Sequence, residues 1–526
     1  MTTTAATGLT PPASLTPELI RRLTGLVVSS GGETATNIHV FTGGPLAKLP
    51  LSTVDDVERA VATARAAQPA WAATPVRERT RILRRLVALI QQEREQISDL
   101  IQAETGKTRL HAFFEQLDPL LTGSYYVRKA AKLLRPKRRA GTFPGIATVL
   151  ELRVPKGVVG IIAPWNFPFA LALNDAVAAL VAGNAVVLKP DVQTSLSPLY
   201  GVELARRAGV PDGVLQVVLG DGPGIGGAVV DRADFVGFTG SCATGRHVAQ
   251  RAGARLVGCS LELGGKNPML VLDDADLDRT VASAIGGCFT NAGQICVGIE
   301  RIYVLDSVYD DFLKRFVAAV AGLKLGTSYT DLELDMGSLT SAQQLATVSG
   351  HVDDARAKGA TVHVGGEARP ELGPYFYAPT VLTGVTPEMA CHSAETFGPV
   401  VSVYRVADEA EAVRRANDTE YGLNASVFTR SAARGRRVGA MLRAGTVNVN
   451  DAFGTAYGSV DAPMGGMRAS GLGRRHGSEG LLKYTDAQNL ARLRFPVVDP
   501  PPNQPRSKYV AGTAAAIRLL TRARIR

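Results

Sequence analysis

The chain has 526 residues, 45% of them hydrophobic and 20% charged, the make-up of a globular protein with two to four domains and ample buried core. No run of about 18 apolar residues occurs, which excludes a membrane-crossing helix. The formal charge of +10 sits largely in Arg135-Pro136-Lys137-Arg138-Arg139 and the last twenty residues; with no zinc-finger or RNP-like pattern beside it, a solvated basic surface is expected and no nucleic-acid partner.

Residues 1–17 are Thr/Ala/Pro-rich, without the basic start or apolar core of a secretory signal, and are expected to be a disordered leader. Val57, Ala60, Val61 and Ala64 set a helix over 54–73, stopped near Thr74-Pro75. Ile82, Leu86, Leu89, Ile90, Ile97, Leu100 and Ile101 form one apolar stripe, predicting a single helix over 77–105 that Gly106 ends. Another helix is expected over 110–133. Strands then alternate with helices. Strands are expected at 148–154, 157–163, 185–189, 214–219 and 235–238, with helices at 175–181, 196–208 and 243–252. The pattern restarts with a strand at 269–272, a helix over 275–290, a strand at 301–305 and a helix over 307–323. Two successive parallel α/β units follow from this alternation. Residues 447–450 read as a late strand and 454–473 as a glycine-rich loop. A proline-rich linker at 499–506 precedes a basic amphipathic helix over 511–526. For that tail, a helix solvated or packed on its own protein is the simpler reading than membrane-surface contact.

Five cysteines, Cys242, Cys259, Cys288, Cys296 and Cys391, lack CxxC spacing and are odd in number, so free thiols in a reducing cytoplasm are expected. A lone cysteine is ordinarily a small buried hydrophobe, a reading adequate for Cys259, Cys288 and Cys391. Cys296 has other company. It follows Gly293-Gln294-Ile295, and 34 residues upstream Glu262 stands beside Gly264-Gly265. A thiol can bond a carbonyl carbon, and a carboxylate can activate the water that cleaves the adduct. Asn166, just past the strand ending near Pro164, is equally a turn residue or a donor to a developing oxyanion. Lys189 ends an apolar strand and could reach ribose or phosphate. Gly222-Pro223-Gly224-Ile225-Gly226-Gly227 satisfies GxGxxG but lacks an acidic ribose ligand at the usual distance. Gly240-Ser241 opening a helix is the better pyrophosphate site. None of the seven histidines shows metal-ligand spacing, so no metal is implied.

Glu262-Leu263-Gly264-Gly265-Lys266 and Gly293-Gln294-Ile295-Cys296 occur in register with Pro164-Trp165-Asn166-Phe167-Pro168, Leu188-Lys189-Pro190, Phe238-Thr239-Gly240-Ser241 and Glu395-Thr396-Phe397-Gly398-Pro399. Together they resemble the aldehyde dehydrogenase superfamily over roughly residues 25–495, and the runs 189–194 and 474–480 resemble its actinobacterial-type succinate-semialdehyde dehydrogenases. The resemblance implies two Rossmann-like open α/β domains plus a small β oligomerisation element. The dinucleotide-binding domain would comprise 18–135 and 154–262, the catalytic domain 263–470, the oligomerisation element 136–153 and 481–498, and the tail 499–526. It implies NAD(P)-dependent oxidation of an aldehyde to its acid, with Cys296 as nucleophile, Glu262 as hydrolytic base and Asn166 in the oxyanion hole. The cofactor residues would be Trp165, Asn166, Lys189, Pro190, Asp191, Val192, Gly240, Ser241, Leu263, Glu395 and Phe397. Val192 stands where relatives often carry a glutamate that repels 2′-phosphate, so NADP is acceptable and NAD stays open. At the positions where semialdehyde enzymes grip the substrate carboxylate stand Asn174, Thr290 and Ser459; the first two replace arginines, and only Ser459 agrees. Succinate semialdehyde is the first expected substrate and a neutral aldehyde the alternative. A non-catalytic dinucleotide-binding protein is the rival from another class. A homodimer or homotetramer is expected, with segments 148–154 and 481–495 pairing between subunits.

Overall fold

The computed structural model describes the backbone of residues 3–4, residue 9, and residues 11–141, 147–494 and 500–523. The leading helices follow their sequence signals closely. Helix Val54–Ala73 starts on a reciprocal cap, in which the Thr53 hydroxyl accepts from the Asp56 N–H (3.2 Å) and Asp56 accepts from the Thr53 N–H (2.8 Å). The stripe expected to form one helix over 77–105 is broken at Glu93 into Val76–Gln92 and Arg94–Thr105. No glycine or proline marks that break. Glu93 is drawn out by the Tyr200 hydroxyl and by Arg207 at 2.5 Å, a tertiary pull invisible in local periodicity. Helix α1, Arg109–Leu134, follows.

The first sheet contains five parallel strands: β1 Val158–Ile162, β2 Ala185–Lys189, β3 Leu215–Val217, β4 Phe235–Thr239 and β5 Gly258–Glu262. Helices α2 (Pro168–Val181) and α3 (Cys242–Ala254) follow β1 and β4. In space the order is β5-β4-β1-β2-β3, so the chain runs outward one way from β1 and then the other. The apolar strands are buried on both faces, as a parallel sheet covered by helices requires. Gly471–Leu472, expected to be loop, returns to pair antiparallel with Leu261 and Glu262 at the sheet edge. The second sheet has seven strands from Asn267–Val271 to Thr446–Val449, parallel except for the Thr361–Val364 edge.

Three further expectations are corrected. The segments expected to pair between subunits pair within the chain: Thr485–Leu493 runs antiparallel along Ala147–Pro155, which also carries Lys137–Arg139. The part of 481–498 beyond residue 494 lies outside the described residues. The leader over 1–17 is anchored where it is described. Thr3–Thr4 pairs with Leu325–Gly326, the Ser14 hydroxyl donates to Asp99 (2.5 Å), and Leu15 packs on the core. The tail helix starts earlier, spanning Arg506–Arg522, with no buried residue. Among the described residues, no hydrogen bond or ion pair ties it to the body, and it is largely solvated rather than buried against its own protein.

Candidate active site

The carboxyl ends of β1, β2, β4 and β5 meet on one edge. Ile162 is in register with Lys189 and Phe238, and Thr239 with Glu262. Between β1 and β4 the order in which the chain lays down its strands reverses, and open α/β sheets bind ligands at that point. Pro164-Trp165-Asn166 leave β1 there, and Gly240-Ser241 leave β4. Ser241 caps α3, its hydroxyl accepting from the Thr244 N–H at 3.2 Å. Helix α2 has no cap of its own. Instead Glu115 of α1 accepts from the Phe169 and Ala170 N–H groups (2.8 and 3.2 Å), while Lys107 neutralises Glu115 and sits 3.7 Å over the Phe167 ring. That borrowed cap fixes the start of α2, and with it Asn166.

Cys296 is delivered by a tight turn. Helix Leu277–Phe289 ends, and Asn291, Ala292 and Gly293 take successive φ values of +53°, +52° and +72°. Only glycine fits the third position: a Cβ there would lie 2.1 Å from the Gly398 carbonyl. Gln294 braces the turn by donating to the Asn291 carbonyl and accepting from the Thr340 N–H, both at 3.0 Å. Asn166 Nδ2 donates to the Gln294 carbonyl (3.1 Å), and Asn291 Nδ2 to the Asn166 carbonyl (3.2 Å). Asn267 holds the Cys296 carbonyl at 2.8 Å. The thiol, half-buried, borders two cavities, one of about 260 Å³ and one of about 330 Å³.

Glu262 borders both cavities as well, and neither of its oxygens has a hydrogen-bond partner. Burial raises its carboxyl to about 7, against the opposing charge of Arg475 and Lys483. Burial, with Glu395 and Glu262 nearby, raises the Cys296 thiol to about 12, so the resting thiol is protonated. Glu395 rises to about 8 through burial and the charge of Glu300, although the Gly265 N–H donates to it at 2.9 Å. The sequence reading missed Glu300. Buried against Lys266, it accepts from the Thr396 and Phe397 N–H groups (2.9 Å each) and so holds the Glu395–Phe397 turn. Its only sequence signal is a Glu-Arg pair in a strand that is otherwise apolar or aromatic.

The smaller cavity gathers Trp165, Asn166, Gly240, Ser241, Leu263, Glu395 and Phe397, with the Trp165 and Phe397 rings edge to face at 5.5 Å. Lys189, Pro190, Asp191 and Val192 lie farther along the same strand edge and do not line it. Lys189 Nζ reaches only the Pro190 carbonyl (3.5 Å), and Asp191 accepts from the Gln193 N–H (2.9 Å). The larger cavity is walled by Phe114, Leu121, Phe167, Ile295, Phe453 and Met464, and Thr290 borders it. Asn174 does not. It is buried behind, beside Asp175 and His476, and Ser459 is exposed on the surface. Arg475, which the sequence could not place, borders the larger cavity.

A dinucleotide fits the smaller cavity and its extension. The first turn of α3 offers N–H groups to phosphate, Lys189 a cation, and Glu395 an acceptor for ribose hydroxyls. Residues 27–490 match the aldehyde dehydrogenase family. The chain belongs to the aldehyde dehydrogenase family. It is 52% identical, over 93% of its length and 94% of theirs, to Mycobacterium tuberculosis proteins named "Putative succinate-semialdehyde dehydrogenase (NADP(+)) 2". It is 37% identical to a Methylomonas 4,4'-diapolycopene aldehyde oxidase over 86% of this chain and 84% of that one. Among solved structures, an E. coli NADP dependent enzyme superposes with a TM-score of 0.85 at 34% identity, covering 89% of this chain and 96% of that one. Staphylococcus aureus betaine aldehyde dehydrogenase in complex with NAD+ gives 0.86 at 32%, covering 91% and 96%. The protein is therefore an aldehyde-oxidising enzyme, and its Cys296 thiol and Glu262 carboxylate border the same two cavities.

Proposed function

We propose that this aldehyde dehydrogenase oxidises succinate semialdehyde to succinate with NADP, accepting NAD as well. The observation that carries the substrate is the 52% identity to proteins of that name along nearly the whole chain. Two features support NADP. Val192 carries no charge that would repel a 2′-phosphate, and one oxygen of the neighbouring Asp191 carboxylate is engaged by the Gln193 N–H. A second reading, a neutral apolar aldehyde, is favoured by the wall of the larger cavity, whose single lining cation, Arg475, is paired with Asp175 at 2.5 Å.

In this reading Cys296 Sγ bonds the aldehyde carbon once its proton is removed. Asn166 Nδ2 and the Cys296 backbone N–H donate to the oxygen that becomes negative. Bound NADP or NAD supplies the hydride acceptor and a positive charge among these carboxylates. Loss of hydride leaves an acyl group on Cys296. Glu262 takes a proton from water, the water oxygen bonds the acyl carbon, the carbon–sulfur bond breaks, and the acid departs. A carboxyl near 7 is poised for that transfer at neutral pH.

The first sheet with its helices (18–135, 154–262) would be the dinucleotide-binding domain and 263–470 the catalytic domain. The exposed face of Thr485–Leu493 suits assembly into a dimer or tetramer; a monomer by sedimentation at working concentration would remove that reading.

Steady-state formation of reduced nicotinamide with succinate semialdehyde and with hexanal tests the substrate. A kcat/KM ratio of roughly tenfold or more for the semialdehyde, about 1.4 kcal/mol of transition-state binding, is expected. Equal rates, or a preference for hexanal, would select the apolar reading.

A further inference from the structure

Behind Glu262 lies a charge cluster that the reaction as described leaves idle. Arg475 is buried, and two of its nitrogens are spent: Nε and Nη2 donate to Asp175 Oδ2 (3.2 and 2.5 Å), and Nη2 also donates to the Thr239 hydroxyl (2.5 Å). Among the described residues its third nitrogen, Nη1, makes no hydrogen bond, and Arg475 borders the cavity that Glu262 and Cys296 share. Asp175 is itself held by Lys483 (3.2 Å) and by the Tyr484 hydroxyl (2.9 Å). Lys483 donates in turn to Ser260 (3.1 Å), two residues before Glu262 on the same face of β5. The backbone brings the groups together as well. Arg475 and Met464 exchange backbone hydrogen bonds, and a Cβ built on the next residue, Gly465, would stand 2.9 Å from Glu262 Oε1. An unpaired buried carboxylate thus shares a cavity wall with an unpaired guanidinium nitrogen.

Such a pairing has a chemical consequence. A carboxylate buried without partners is costly to ionise, and only the ionised form can take the proton from water. We propose that Arg475, clamped by Asp175 and Thr239, is a positioning residue for the Glu262 base, its fixed positive charge across the shared cavity wall favouring the ionised carboxylate that deacylation needs. The inference rests on the hydrolytic role of Glu262 given above. The charged groups facing Glu262 are Arg475, Lys483, Asp175 and Arg474, with the Cys296 thiol across the cavity. Arg475 outweighs the others in favouring the carboxylate. Asp175 acts twice, opposing the carboxylate by its charge and serving it by fixing the arginine.

The test separates acylation from deacylation. R475Q is mixed rapidly with saturating aldehyde and NADP, and burst and steady-state rates are followed from pH 6 to 9. A burst of reduced cofactor in R475Q shows the thiol chemistry intact. The expected result is a steady-state rate whose alkaline-rising limb moves up by about one pH unit, the size of shift a neighbouring charge produces. R475K keeps the charge and should hold the limb near its wild-type position. R475M, neutral and of similar length, decides the matter if R475Q does not fold, and its limb should move up in the same way. A limb unmoved in the neutral variant that folds, or moved up in R475K as far as in the neutral variant, overturns the proposal. An E262Q enzyme that turned over at the wild-type rate would instead overturn the hydrolytic reading beneath it.

Discussion

Cys296 and Glu262 are opposite problems in acid–base chemistry solved in one cavity. Burial raises both, the thiol to about 12 and the carboxyl to about 7. For the thiol this means that attack waits for a base or for positive charge to arrive. For the carboxyl it means that the proton-accepting form grows in only as pH passes through about 7. The sign is fixed: below that value Glu262 is a neutral acid and cannot activate water. Where hydrolysis limits turnover, kcat should therefore rise with pH through about 7 and level off roughly a unit above it. A kcat flat from pH 5.5 to 8.5 would mean that Glu262 is ionised throughout or is not the base. The residue scale is also where reading the sequence worked best and worst. Cys296 and Glu262 could be named because their neighbours, Gly293-Gln294 and Gly264-Gly265, form local motifs. The pair of Asp175 and Arg475 could not, since the partners stand 300 residues apart and nothing local to the run 474–480 says what Arg475 meets.

At the scale of elements, the site depends on supports borrowed from elsewhere in the chain. Glu115 of α1 caps α2, and Glu300, neutralised by Lys266, holds the turn that carries Glu395 and Phe397. These carboxylates lie in apolar stretches where sequence periodicity marks only helix or strand. E300Q keeps the shape but loses one acceptor oxygen and the charge that answers Lys266. It should raise the KM for NADP about tenfold, equivalent to about 1.4 kcal/mol, with a smaller effect on the burst of acylation. An unaltered cofactor KM would show that the turn holds itself. Element boundaries were legible wherever a cap or breaker is local, as at Thr53 and Gly106. They were hidden where the cause is tertiary, as at Glu93, drawn toward Tyr200 and Arg207. Gly471–Leu472 is a similar case, because two residues in a glycine-rich loop become a strand only when β5 offers them an edge.

Across the whole molecule, strand and helix alternation was enough to announce two α/β units, and each has its own sheet. What alternation could not supply was strand order, since β4 returns to the far side of β1 and only that reversal opens the crevice. Nor could it say that Thr485–Leu493 would fold back on Ala147–Pro155 of its own chain. The two units matter to the proposed mechanism because the first ends in Glu262, its base, and the second carries Cys296, its nucleophile. That division makes the central claim testable by removing one half while keeping the other. In rapid mixing of the E262Q enzyme with aldehyde and NADP, one equivalent of reduced cofactor should form per Cys296, followed by a near stop as the acyl group stays on sulfur. Sustained turnover at the wild-type rate would contradict the account, because water would then be reaching the acyl group without Glu262.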